Sequence, residues 1–410
     1  MKSKKIVSFA LAGAMFASTT VAPGLAQAAT PEVIRIYSSL PLTGSSAGQT
    51  ITMVNAINLA IEQKTKDGLV CDGKFKIEYK SLDDATAAAG KWDAAKESEN
   101  ANIAVSDPDA MAVIGAYNSG ASKVSIPILN KAGMAMISPA NTYAGLTKGP
   151  ENGGEVGEPD KYYPSGKRNY MRTPAADDIQ GAIGAKWAKS LGVKSVYILD
   201  DTEVYGKGVA NVFEATAKKI GMNVLGRDGI DGKASDYKAL ATKIKSFNPQ
   251  AIYYGGITQN NAGQLFKDIR GAGIKSILMG ADGILENALI EAAGKDIAEG
   301  VLATGAGTPQ KSLPAAGKKF FSDYKTKFKA APEQYAIYSF EAMSVVIAAI
   351  NKVCKKDRGA ILDAMFATKN FKGVLGTWSF TASGDTTLSD MKGNRIVKGA
   401  WVETGLLKFP

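Results

Sequence analysis

The stretch "AMAVIGAYNSGASKVSIPILNKAGMAMIS", residues 110–138, holds the repeating unit of the whole chain. Its first piece, "AMAVIGA" (110–116), is a short apolar run of the length expected for a buried strand. The middle piece, "ASKVSIPILNKAG" (121–133), has a helical period, and "MAMIS" (134–138) is a second strand-like run. A strand, a helix and a strand in that order give a parallel pair, because parallel strands need a long crossover. The turn between the first strand and its helix, Tyr117 to Ser122, then lies at a carboxyl strand end, where open parallel sheets bind ligands.

Working outward, the same alternation extends in both directions. Upstream stand a strand "VIRIYSSL" (33–40), a helix "QTITMVNAINLAIEQK" (49–64) with Met53, Ile57, Ala60 and Ile61 on one face, a strand "FKIEYKSL" (75–82) and an Ala-rich helix. Downstream, residues 148–167 have no period and are rich in Gly, Pro and charge, which predicts a surface excursion. A second series follows, with strands "SVYILDD", "NVLGRDGI", "AIYYGG" and "SILMG" separated by helical segments, and it implies a second parallel sheet. Late helices, "AAGKKFFSDYKTKF", "YAIYSFEAMSVVIAAINKV" and "RGAILDAMFA", arrive after both sheets are complete, and the tail turns to strand-like pieces around "ASGD". The first sheet has too few helices of its own, so the chain is expected to cross back to it. That predicts two α/β lobes, 29–175 plus 306–374 and 176–305 plus 375–410, around a cleft that opens and closes.

Length and composition agree with two cores: 410 residues exceed what one ordinary core holds. The net charge of +10 is spread thinly, with Lys-Lys pairs at 218, 318 and 355, which argues for a solvated surface and against a nucleic-acid groove. Histidine is absent, which removes Ser-His-Asp and Cys-His nucleophile systems, His general bases and His-ligated zinc. No Gly-rich loop ends in Gly-Lys-Ser/Thr, so no phosphate cradle is expected.

The N-terminus has Lys2, Lys4 and Lys5, an apolar run from Ile6 to Val21, and Ala26-Gln27-Ala28 at the spacing of a cleavage site. It is expected to be an export signal, residues 1–28, cleaved near Ala28. Ser8, Gly13, Ser18, Thr19 and Thr20 dilute the run below what a membrane anchor needs. A periplasmic location follows as an expectation. The only cysteines, Cys71 and Cys354, exclude lipid attachment at the cleavage point and suggest one disulfide in an exported chain, two separate buried thiols being the alternative.

The chemistry is sought at the strand ends. The turns at Tyr117 to Ser122 and at Pro139 to Thr142 both offer hydroxyls, small side chains and backbone N–H groups, and a helix start near Gly120 adds its positive end. Together they could hold a carboxylate, although Ser119 could equally be a plain helix cap. In the second series Tyr205 and Asp282 fall just past strands, where they could line a pocket and pair with a cation. Their simpler readings are a surface tyrosine and an Asp-Gly turn. A negative group opposite a hydroxyl-rich one suits an α-amino acid.

These segments resemble a known family. The ordered set "SLPLTGSSAGQ", "IGAYNSGAS", "MISPANT", "MRT", "DDTEVYGKG", "IYYGGITQNNAGQLFKDIRGAG", "LMGADGI" and "YAIYSFEAM" is similar to the periplasmic branched-chain amino-acid binding proteins of ABC importers. The resemblance implies a type I periplasmic binding fold, two doubly wound parallel-sheet lobes joined by three hinge crossovers. It implies that Ser119 and Thr142 bind a ligand carboxylate, that Ala140 accepts from the ammonium, and that Asp282 pairs with it. It likewise places Tyr205 and Tyr335 as aromatic walls. Ile257 stands where leucine binders carry a tyrosine, Asn118 replaces a disulfide-bonded cysteine, and Asn141 brings an amide to a position usually small. The family disulfide cannot form, and Cys71 is expected to pair with Cys354 instead.

The expected protein is therefore a monomeric receptor that binds an amino acid, branched-chain by default, hands it to a membrane ABC permease, and needs no cofactor or metal. Urea, short amides or aromatic acids are alternative ligands. A ligand-sensing module is an alternative role, and an amidase or deaminase using Asp and Lys is the rival from enzyme chemistry.

Overall fold

The computed structural model describes residues 30–409, together with Met1, Lys4, Lys5, Ile6 and Ser8. The expected export signal and its cleavage point lie, apart from those few positions, outside the described residues.

The first sheet uses β1 (Glu32–Leu40), β2 (Leu69–Val70), β3 (Phe75–Asp83), β4 (Ala110–Gly115), β5 (Ala135–Ser138) and β6 (Tyr170–Arg172), in the spatial order β2-β3-β1-β4-β5-β6. All its pairings are parallel except that of the two-residue β2. Period-2 alternation sends Ile114 and Ile137 to one face and Val113 and Met136 to the other. Helix α1 (Ala47–Lys64) covers the first face with Met53 and Ile57, while α2 (Ala94–Ser106) and α3 (Ser119–Lys131) cover the second with Ala101, Ala104 and Leu129. The Ala-rich segment after β3 is a loop as far as Asp93, whose carboxylate caps α2 by accepting from the N–H groups of Ala95 and Lys96.

The second sheet has a parallel core of β7 (Ser195–Asp200), β8 (Asn223–Gly229), β9 (Ala251–Gly255), β10 (Ile277–Gly280) and β11 (Leu302–Ala306). Helices α4 (Asp177–Ser190) and α5 (Val204–Lys219) pack on one face through Ala185 and Phe213. On the other lie α6 (Lys238–Phe247), α7 (Ala262–Gly271) and α8 (Asn287–Ala293), with the single-turn α9 (Lys295–Ala298) beside them. Strands β6 and β11 escape the sequence pattern because "YMR" is too short and "LATGA" too small to read as apolar runs.

The chain then returns to the first sheet. Helices α10 (Ala315–Phe328), α11 (Ala336–Val353) and α12 (Arg358–Phe366) complete the core begun by α1. By length and composition α11 could cross a membrane, but 78% of its apolar window is buried inside this core. The pair β12 (Phe371–Lys372) and β13 (Thr377–Trp378) forms a separate small hairpin. Finally β14 (Met391–Val397) and β15 (Ala400–Leu407) add antiparallel strands to the second sheet, in the order β15-β14-β11-β10-β9-β7-β8, so that sheet is mixed and not purely parallel.

Residues 375–390, expected with the second lobe, pack with the first. Buried Trp378 donates its indole N–H to Glu341 of α11 at 2.7 Å, and the guanidinium of fully buried Arg172 donates to Asp385 at 2.7 Å. A buried pair of this kind is costly to break, so the segment is fixed where its partners are. The chain crosses finally to the second sheet only at β14. Cys71, beside the amino end of β3, is joined to Cys354, just past α11, with Cα atoms 5.5 Å apart. The aperiodic 148–167 stretch is pinned by buried Glu158, which accepts from Tyr143 at 2.7 Å and pairs with Lys123 at 2.9 Å.

Candidate functional site

The carboxyl ends of β4 and β5 face those of β7, β9 and β10 across a narrow cavity of about 30 Å³. Asn118, Ser119, Ala140, Thr142, Tyr205, Ile257 and Tyr335 all line it, joined by Tyr117, which opens the turn named from the sequence, and by Gly283, which the sequence had not singled out. Asp282 lies directly behind two of those residues. Asn141 is not on the lining: its amide donates to the Tyr117 carbonyl at 2.8 Å and accepts from Tyr170 at 3.1 Å and from Ser122. Its polar side chain knits two turns of the first sheet together.

The hydroxyl side of the cavity follows from β4 ending at a turn. Asn118 occupies the cap position of α3 without making a side-chain cap bond, so Ser119 is the first helical residue and caps nothing. Its hydroxyl has one long contact, accepting from the Tyr143 N–H at 3.4 Å. The N–H groups of the first helical turn have no intrahelical partner, and they carry the positive end of the helix dipole. Thr142 is buried at the next turn, its carbonyl accepting from the Asp177 N–H at 2.8 Å. No lysine or arginine belongs to the lining, so an anion here would be held by hydroxyls and backbone donors.

The acidic side centres on Asp282, 2% exposed. The Tyr205 phenol donates to its Oδ1 at 2.6 Å, and the Tyr335 phenol to its Oδ2. Tyr205 also accepts from the Gly283 N–H at 2.9 Å, which fixes the ring over the turn. A Cβ at Gly283 would sit 2.7 Å from that ring and 2.6 Å from the Gly256 carbonyl, so the approach requires glycine. Burial raises the Asp282 carboxyl above its ordinary range despite both phenols. Burial likewise pushes the Tyr205 and Tyr335 hydroxyls well up, so both remain donors at neutral pH.

A second carboxyl was missed. Asp177 opens α4 just past β6 and is 1% exposed, with the Thr142 hydroxyl beside its carboxyl. Burial, and then the charge of Asp282, hold it well above the usual carboxylate range. In the sequence "AADDIQ" reads as acids complementing a helix dipole, which hides the role. Its position directly after a parallel strand was the signal available. Further ties join the two halves: Lys91 donates to Glu203 at 2.7 Å and to Asn260 at 2.9 Å. Among the described residues no three acidic or sulfur side chains converge as a metal group.

With this geometry established, comparisons with known proteins are specific. Residues 33–400 match the family model described as periplasmic binding protein. A Leu/Ile/Val-binding protein of Rhizobium johnstonii is 28% identical over 349 residues, which cover 85% of this chain and 87% of that one. A leucine-, isoleucine-, valine-, threonine-, and alanine-binding protein of Pseudomonas aeruginosa is 26% identical over 378 residues, 90% and 92% of the two chains. Among solved structures, a leucine-binding protein of Thermotoga maritima superposes with a TM-score of 0.80 at 25% identity, covering 92% of this chain and 99% of that one. A solute-binding protein of R. palustris in complex with benzoate reaches 0.74 at 18% identity, with 92% and 96% covered.

Proposed function

The chain belongs to the periplasmic binding protein family, and from that premise we propose that it is the extracytoplasmic solute receptor of an ABC importer, with an α-amino acid as its ligand. One observation carries the reading: hydroxyls and a helix N-terminus at Ser119 and Thr142 line one side of the cavity, and Tyr205 and Tyr335, which line it too, rest on the buried carboxyl of Asp282. A zwitterion places its carboxylate against the first set and its ammonium against the second, with the Ala140 carbonyl beside it. Each charge-assisted bond supplies about 1.5 to 3 kcal/mol. Tyr117, Tyr205, Ile257 and Tyr335 enclose the side chain, and the names of the relatives favour a branched aliphatic one.

In this arrangement the cavity has room for about two waters. An amino acid therefore enters only when the halves part. We assign the moving lobes as 31–175 with 306–390, and 176–305 with 391–409, connected at three crossovers. Closure presents one rigid outer face to a permease. The receptor binds its ligand and makes or breaks no bond, and delivery follows export of the chain past its N-terminal signal.

A second reading, a carboxylic acid without an amine, draws support from the benzoate held by the R. palustris neighbour. The Asp282 carboxyl behind the cavity opposes it, since a ligand without an amine brings it neither a donor nor a positive charge. A thermal-shift panel separates the two: amino acids, aromatic acids, urea and short amides are tested on protein unfolded and refolded to strip carried ligand. Stabilisation by an amino acid, about 2.7 kcal/mol at a hundredfold excess over Kd, supports the proposal. Stabilisation by aromatic acids alone overturns it.

A further inference from the structure

A second concavity is far roomier than the amino-acid cavity. A pocket of about 480 Å³ lies where the crossovers run between the two sheets, and it is within the size range of small-molecule sites. All three crossovers contribute: Thr173 and Ala175 after β6, Ala306 to Thr308 after β11, and Leu388 to Lys392 leading into β14. Its body is apolar, formed by Leu285, Leu313, Phe321, Ile337, Leu375 and Trp401. Its charge is not balanced. Lys392 is its one cation and is already paired with Glu403 at 2.7 Å. Glu333, half-buried, accepts from Asn287, whose side-chain amide is 2.8 Å away, and the Asp390 carboxylate, at the exposed mouth of the pocket, has no ion pair or side-chain hydrogen bond among the described residues.

We propose that this pocket is a second ligand site, one that takes a small amphipathic cation: an apolar or aromatic body against Leu313, Phe321 and Trp401, and a protonated amine at Glu333 and Asp390. The surplus of two acids sits in a chain whose overall charge is +10, so it is a local feature and not a property of the surface at large. Burial lifts the Glu333 carboxyl above its ordinary range, as an acid lacking its counter-ion would be. The wall between the two cavities is thin. Gln334, on the pocket side, donates to the Asp282 carbonyl at 3.2 Å, and its neighbour Tyr335 belongs to the other cavity. An occupant touching all three crossovers and this wall changes the affinity of the first site, and by linkage the first ligand changes its own by the same factor.

The test is ¹⁹F NMR titration of the whole protein with 4-fluorophenethylamine, and with 4-fluorophenylacetate as the anion of the same body. The amine binds at least about tenfold more tightly than the acetate. Glu333→Gln weakens the amine by roughly tenfold, the loss of one charge-assisted bond. Leu313→Trp, which fills the pocket, abolishes binding, and Ser119→Ala, at the other cavity, leaves the amine affinity unchanged. Should Leu313→Trp fail to fold, Glu333→Gln and Ser119→Ala still decide. Equal affinity for amine and acetate, no binding of either, or loss on Ser119→Ala with none on Glu333→Gln overturns the proposal.

Discussion

The phenol of Tyr335, immediately before α11, donates to Oδ2 of Asp282, in the turn after β10, and so ties the two halves of the molecule together inside the cavity. The acid assigned to the ligand's ammonium is thus already held when the cavity is small. Ligand and latch compete for one carboxylate. Tyr335→Phe removes a charge-assisted bond worth about 1.5 to 3 kcal/mol from the closed form only. Without ligand the variant is expected to give a larger radius of gyration in small-angle X-ray scattering than the parent, and identical scattering would contradict the latch.

Ser119 separates binding from stability. Its hydroxyl caps no helix and has a single contact at 3.4 Å, so Ser119→Ala should change Tm by no more than a degree or two, a surface-like effect of under about 0.5 kcal/mol. Amino-acid affinity should fall by roughly tenfold or more, the loss of one hydrogen bond to a charged group. Calorimetry on the variant checks both, and a large loss of Tm with normal affinity would return Ser119 to a structural role.

Two buried acids of the first half set a pH dependence. Glu97 and Asp84 are both fully buried; Ser39 donates to Glu97, and neither oxygen of Asp84 has a hydrogen-bond partner among the described residues. Burial raises Glu97 to about 7 and Asp84 well above its usual range. Both carboxyls are raised, so the folded state keeps their protons over a window where the unfolded chain has released them. Their favourable contribution is complete below about pH 4.5 for Glu97 and disappears as pH rises through 7. Glu286, at about 7, and Asp201, at about 6, act in the same direction. Stability of the parent should fall between pH 5 and pH 8, and Glu97→Gln should flatten that slope. An unchanged slope in urea titrations of the variant would contradict this.

Breaking the buried pair beneath the crossover should be severe. Arg172→Met leaves Asp385 with Thr147 and Ser383 as its remaining side-chain partners, inside the first half. A loss of about 3 to 5 kcal/mol is expected. A loss under about 1 kcal/mol in denaturant unfolding would mean the segment 375–390 is held by something else.

The Cys71–Cys354 link closes a loop with a sequence separation of 283. It lies at the amino end of β3, whereas the ligand cavity lies at the carboxyl ends of the strands. Replacing both cysteines by serine should cost about 2 to 4 kcal/mol and leave affinity unaltered. Loss of affinity at full stability would contradict the separation of the two.

Much of this architecture is legible in residues with strong periodicity. "AVIG", "VYILD" and "AIYYG" read as strands because their burial on both faces demands continuous apolar runs, and the return of α11 follows from a sheet short of helices. Short or small-residue strands are not legible, since β6 and β11 take their place from neighbours and not from their own side chains. The pocket turns could be found because ligands sit at carboxyl strand ends. The direction of the Asn141 side chain was not legible, because nothing local says which way an amide turns. That was decided by Ser122 and Tyr170, distant in sequence. Asp177 stayed hidden because an acid at a helix start already has an ordinary explanation. The boundary near residue 375 shifted to 390 because Arg172 and Glu341 claim that segment through buried charge, which no periodicity records.

The central claim is that this cavity recognises both ends of an α-amino acid. Isothermal titration of the parent and of Asp282→Asn with L-leucine and with 4-methylpentanoate, its counterpart lacking the amine, tests it most directly. The account predicts one-to-one binding of leucine by the parent, at least about a hundredfold weaker binding of 4-methylpentanoate, and a comparable loss of leucine affinity in the variant, as for two lost charge-assisted bonds. Equal binding of the two compounds by the parent, or leucine affinity unchanged by Asp282→Asn, would contradict it.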